Sequence, residues 1–106
     1  MKILEFGNKT KEKIILIHGF QVPYQVWSKY IEYYQDRYHI IVPIIPGHDS
    51  KTNENFTTFD NVAIELEEYV ISNYGVNIYL IYGMSMGGVL AGTLWKRNNL
   101  NIQKII

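Results

Sequence analysis

Three runs of large apolar residues, Ile14-Ile15-Leu16-Ile17, Ile40-Ile41-Val42 and Ile78-Tyr79-Leu80-Ile81-Tyr82, stand out in a chain that is otherwise mixed. A half-exposed strand alternates apolar and polar residues, so continuous runs with polar flanks predict strands buried on both faces. Between them the period changes. Val26, Trp27, Tyr30, Ile31 and Tyr34 recur at steps of three and four, and Phe59, Val62, Ala63, Leu66, Tyr69 and Val70 form a cleaner stripe of the same kind. Thr57 or Thr58 can cap the second segment, Asp60 suits its first turn, and Gly75 stops it. The pattern predicts strands near 2-6, 14-18, 39-43, 77-82 and 103-106, and helices near 25-36, 58-73 and 86-97. That alternation is of α/β class, a mainly parallel sheet with flanking helices and right-handed crossovers.

Composition narrows the reading. A chain of 106 residues, 47% hydrophobic, has room for one core, so residues 1-106 are one domain or part of one. Lys plus Arg and Asp plus Glu are both 10, and like charges adjoin only in pairs such as Glu67-Glu68 and Lys96-Arg97. Bulk charge therefore recruits neither nucleic acid nor an anionic membrane. The 9 tyrosines read as compositional background. There is no cysteine, which removes disulfides and thiolate chemistry. The N-terminus lacks the apolar stretch of a signal peptide and no window suits a membrane span, so a cytoplasmic protein is expected. His18, His39 and His48 lack helical i, i+4 spacing, which gives no metal site, and no phosphate loop closes on G-K-[ST]. No cofactor is expected.

The candidate chemistry lies after strand ends, where open parallel sheets gather their sites. Gly83-Met84-Ser85-Met86-Gly87-Gly88 follows the third apolar run and opens the last helix. This G-x-S-x-G string at a strand-helix junction is the nucleophile-elbow pattern, with the Ser85 hydroxyl held clear of the sheet. Gly83 and Gly87 are expected where a Cβ would collide across the turn or strain it, and Gly88 where the helix lies close to its strand. Ile17-His18-Gly19-Phe20 leaves the first run and can turn backbone N–H groups inward. Pro46-Gly47-His48-Asp49-Ser50 needs no chemistry beyond a turn, and His39 falls at the edge away from Ser85.

Taken in order, these motifs resemble the N-terminal half of the α/β-hydrolase-fold family, serine hydrolases of esterase type. Ile17-His18-Gly19 resembles the family's oxyanion segment, Trp27 its following tryptophan, Val42 to His48 its P-D-x-P-G-H-G loop, and Gly83 to Gly88 its elbow. Ile44 stands where that loop usually carries Asp, and Asp49 where a second glycine is common. The resemblance implies Ser85 as nucleophile toward a small-molecule acyl substrate, an ester or thioester, with the N–H groups of Met86 and Phe20 holding the oxyanion. His18, Gly19, Gly83, Gly87 and Gly88 support the motif. The family's acid and histidine follow the serine in the chain, and residues 86-106 contain no Asp, Glu or His. A truncated and nearly inert fragment is expected, with a non-catalytic binding or assembly module as the alternative. The strand at 103-106 would then pair with a C-terminal half or with a second copy.

Overall fold

The computed structural model describes residues 1-20, 22-47 and 55-106. Five strands form one sheet: β1 (Lys2–Gly7), β2 (Lys13–Ile17), β3 (His39–Ile44), β4 (Asn77–Gly83) and β5 (Asn101–Ile105), in spatial order β1-β3-β2-β4-β5. β1 runs antiparallel to β3, and every other pairing is parallel. The helices are α1 (Ser28–Tyr34), α2 (Phe59–Tyr74) and α3 (Met86–Arg97). The fold is α/β, with a mostly parallel sheet and helices on both faces.

The apolar runs are buried on both faces because consecutive residues feed two cores. Ile15, Ile17, Ile41 and Ile45 pack with Val62, Leu66 and Val70 of α2 and Leu90 and Leu94 of α3. Ile14, Leu16, Ile40 and Val42 pack with Trp27 and Ile31 on the other face. At about 1.5–3 kcal/mol per buried aliphatic side chain, these two layers are the main source of stability. β4 departs from strict alternation: Ile78 and Ile81 join the α2/α3 layer, whereas Tyr79, Leu80 and Tyr82 join the other.

Three elements differ from the pattern in the sequence. Residues 25-36 are not one helix: Tyr24–Trp27 is a 3-10 turn, entered from Pro23, and α1 begins after it. Ser28 Oγ donates to the carbonyl of Gln25 at 2.7 Å, and Trp27 sits at φ −86°, ψ 0°, so the α-helical phase is lost. Consequently Trp27 and Ile31 are buried while Val26 and Tyr30 are exposed. α2 runs one residue later than 58-73, because Thr58 is its cap and accepts from the N–H of Asn61 at 3.0 Å. The final strand begins at Asn101 rather than 103. Asn98 ends α3 in the left-handed region at φ 57°, Leu100 is buried, and the N–H of Asn101 already donates to the carbonyl of Val76 at 2.7 Å.

α2 and α3 are also joined by a carboxylate that the apolar stripe hides. Glu67 is buried, yet it accepts from Arg97 Nε at 3.0 and 3.1 Å and from Asn99 Nδ2 at 3.2 Å. The Glu67 bond and charge hold the Arg97 guanidinium above its usual range.

Candidate active site

β4 leads straight into the turn that carries Ser85. Ser85 is exposed and adopts φ 54°, ψ −114°, immediately before the first residue of α3. A serine in the positive-φ region stores on the order of 1–3 kcal/mol, which the surrounding turn must hold. That turn is tightly bonded: the N–H of Met84 donates to the carbonyl of Ile17 at 3.0 Å, that of Gly87 to Met84 at 2.8 Å, and that of Gly88 to Ser85 at 2.9 Å.

The glycines divide by role. A Cβ on Gly83 would lie 2.2 Å from the carbonyl oxygen of Gly87, and one on Gly87 would lie 2.3 Å from that of Ile17. Neither has positive φ, so both are needed for close approach and the left-handed strain falls on the serine itself. Gly88 departs from the expectation. A Cβ there would meet its nearest atom at 3.5 Å, an ordinary contact, so helix packing does not require glycine at this position.

The His18-Gly19 turn comes against the elbow from β2. A Cβ on Gly19 would stand 3.3 Å from Ser85 Cβ and 3.2 Å from the carbonyl oxygen of Met84. His18 lies beneath it, fully buried. Its Nε2 accepts from the N–H of Ile45 at 3.1 Å, which fixes the proton on Nδ1, and Nδ1 donates to the carbonyl of Gly19 at 2.9 Å. With its acceptor nitrogen committed to Ile45, His18 ties the turn after β2 to the end of β3 and is not placed as a base for Ser85. His18→Leu is expected to cost about 1–3 kcal/mol in urea unfolding, since it strands the Ile45 N–H away from water.

The two backbone donors are arranged differently. Met86 opens α3, so its N–H has no acceptor within the helix and sits at the positive end of the helix dipole. Phe20 adjoins Gly19, and its side chain is 61% exposed beside the turn. His39 opens β3 and Ser85 follows β4; the two strands run the same way, which puts these residues at opposite edges of the sheet. There His39 Nε2 meets Glu5 Oε1 at 2.7 Å, an imidazole-carboxylate pair built far from the serine. Among the described residues no three His, Cys, Asp or Glu side chains cluster to hold a metal. His48 and Asp49 lie outside the described residues. No helix among the described residues is long and apolar enough to cross a membrane.

Solved structures offer parallels to this arrangement. An α/β-hydrolase-family protein from Desulfitobacterium hafniense matches with a TM-score of 0.89 and 25% identity over 99% of this chain and 41% of its own. A protein assigned as a lipase from Acinetobacter baumannii matches with a TM-score of 0.83 and 27% identity over 97% of this chain and 35% of its own. Among curated proteins, the (E)-2-((N-methylformamido)methylene)succinate hydrolase of Acinetobacter baylyi is 39% identical over 47 residues, which are 44% of this chain and 18% of that protein. No family profile matches the chain. The chain thus spans less than half the length of the relatives it matches. With an elbow serine at the crest of β4 and a histidine-glycine turn pressed against it, the chain has the α/β-hydrolase fold, of which it comprises the N-terminal portion.

Proposed function

We propose that the chain carries the nucleophile and the oxyanion donors of a serine hydrolase acting on small carboxylic esters, thioesters or related acyl compounds. The observation that supports this most is the strained, exposed Ser85 with Gly19 packed against its Cβ. In that reading Ser85 Oγ attacks the acyl carbon, and the N–H groups of Met86 and Phe20 receive the developing negative charge. Each such donor is worth about 100- to 1,000-fold in rate. The proton of Ser85 needs a base within about 3 Å, oriented by a carboxylate. His18 is committed to Ile45 and His39 stands at the other edge, so the relay comes from residues other than these. The curated relative acts as a hydrolase by its name, which agrees with this class.

On these terms the 106 residues by themselves turn over slowly. The segment that completes the site pairs along the open edge of β5, where Ile105 and Ile106 are exposed; self-association through that edge would show as a dimer in size-exclusion mass. The functional test is ester hydrolysis by a protein carrying these residues together with a segment that supplies a histidine and an acid. Ser85→Ala is expected to lower kcat/KM by at least about 1,000-fold. Turnover unchanged by Ser85→Ala would refute the assignment.

A further inference from the structure

β1 is the antiparallel edge strand of this sheet. It is an edge strand paired only to β3, and none of its residues is fully buried, whereas β2 and β3 are buried almost throughout. Its polar anchorage is concentrated on one carboxylate. Glu5 Oε1 accepts from His39 Nε2 of β3 at 2.7 Å and from the hydroxyl of Tyr74, while Oε2 accepts from the hydroxyl of Tyr69, both tyrosines belonging to α2. A carboxylate can only accept, so His39 carries its proton on Nε2; its Nδ1 is buried with no partner among the described residues. From β2, Lys13 Nζ stands 5.4 Å from the centre of the Tyr74 ring. A second tie joins the start of the strand to the same helix, where the Met1 ammonium meets Glu65 Oε2 at 3.1 Å.

We propose that β1 is a latched edge strand: the Glu5 carboxylate is the catch, and a proton taken up there frees β1 from β3 and α2 before the rest of the sheet opens. The chemistry is that of one acceptor shared by three donors. Protonated, Glu5 becomes a donor itself and cannot satisfy two phenols and an imidazole N–H at once. Opening would bare the edge of β3, whose residues His39 to Ile44 are all buried, and an apolar strand edge is a template for pairing with another chain.

The sign of the pH effect follows from the site. Burial alone would raise the Glu5 carboxyl, but the bonds from Tyr69, Tyr74 and His39 outweigh it and hold the group below its usual 4.5. The latch is therefore at full strength above pH 4.5 and weakens as pH falls toward the bound value, by up to about tenfold in the opening equilibrium per pH unit. The tyrosines respond at the other extreme. The bond to Glu5 raises Tyr69, and burial with the same carboxylate raises Tyr74, each to about 12. Their share is full below pH 10 and is lost as pH rises toward 12.

Amide hydrogen exchange on the whole chain tests the latch, read as protection factors so that intrinsic rates cancel. Below pH 4.5, β1 protection is expected to fall by up to about tenfold per unit while β2 and β4 hold theirs. In Glu5→Gln, β1 protection should be low at pH 7 and flat with pH. Should that variant not fold, Tyr69→Phe keeps the charge, removes one donor and is expected to lower β1 protection at pH 7 and to shrink its total fall below pH 4.5. Protection in β1 that tracks β2 and β4 at every pH, a slope that survives Glu5→Gln, or a fall below pH 4.5 that is as large in Tyr69→Phe as in the unaltered chain would overturn the proposal.

Discussion

Gly83→Ala and Gly87→Ala are each expected to lower the unfolding free energy by about 3 kcal/mol, the upper end of what overpacking costs. The added methyl would stand 2.2 Å from the Gly87 carbonyl oxygen in one case and 2.3 Å from that of Ile17 in the other. Backbone atoms at those distances cannot swing aside as a side chain could. The strain spreads into β2 and the start of α3, which hold the centre of the larger core. Against a total of about 5–15 kcal/mol for a domain, either change leaves a marginal protein. Two other glycines make the contrast sharp. Gly88→Ala meets only an ordinary contact, and Gly92 has open space around it inside α3. Gly92→Ala is therefore expected to stabilise by about 0.5–1 kcal/mol through helix propensity. Urea unfolding followed by circular dichroism separates the four.

The second large effect couples stability to chemistry at one residue. Ser85→Gly is expected to stabilise the protein by about 1 kcal/mol, because glycine occupies φ 54° without a Cβ penalty, and to abolish acyl transfer entirely. Ser85→Ala should abolish the chemistry equally while keeping the strain. A gain in unfolding free energy with glycine and none with alanine locates the strain at the Ser85 backbone. Equal stability of the two variants would mean that the turn does not store it there. A residue that costs stability where it stands and is needed for reaction is the usual mark of a site under functional constraint.

The sheet and the elbow were legible because each is written in neighbouring residues. Ile14 to Ile17 predicts a strand buried on two faces without reference to anything else, and Gly83-Met84-Ser85-Met86-Gly87 carries its own turn. What escaped depends on residues far apart in sequence. Glu5 reads as an ordinary charge in a short strand until folding brings it His39, Tyr69 and Tyr74. Glu67 looks like part of a charged pair on the solvent side of α2 until Arg97 and Asn99 close over it. Local backbone detail was hidden for a different reason. The spacing of Val26 to Tyr34 suits a helix of either pitch, and only Pro23 and the Ser28 bond to Gln25 decide for a 3-10 turn. At Ser85 the motif put the serine in the turn and expected a Cβ on Gly83 or Gly87 to collide across it, as it would, whereas the positive φ falls on Ser85 and on neither glycine.

The central claim is that Ser85 is an acyl-acceptor held ready by the backbone but not activated by His18 or His39. The direct measurement is reaction of the 106-residue protein with a fluorophosphonate, with the adduct mapped by peptide mass spectrometry. Oxyanion donors and positioning without a base leave a residual rate well above that of an unstructured serine. The account predicts a slow adduct on Ser85 alone, lost in Ser85→Ala and unchanged when His39 is replaced. An adduct on another residue, no adduct above that of the urea-unfolded chain, or a Ser85 rate that depends on His39 would contradict it.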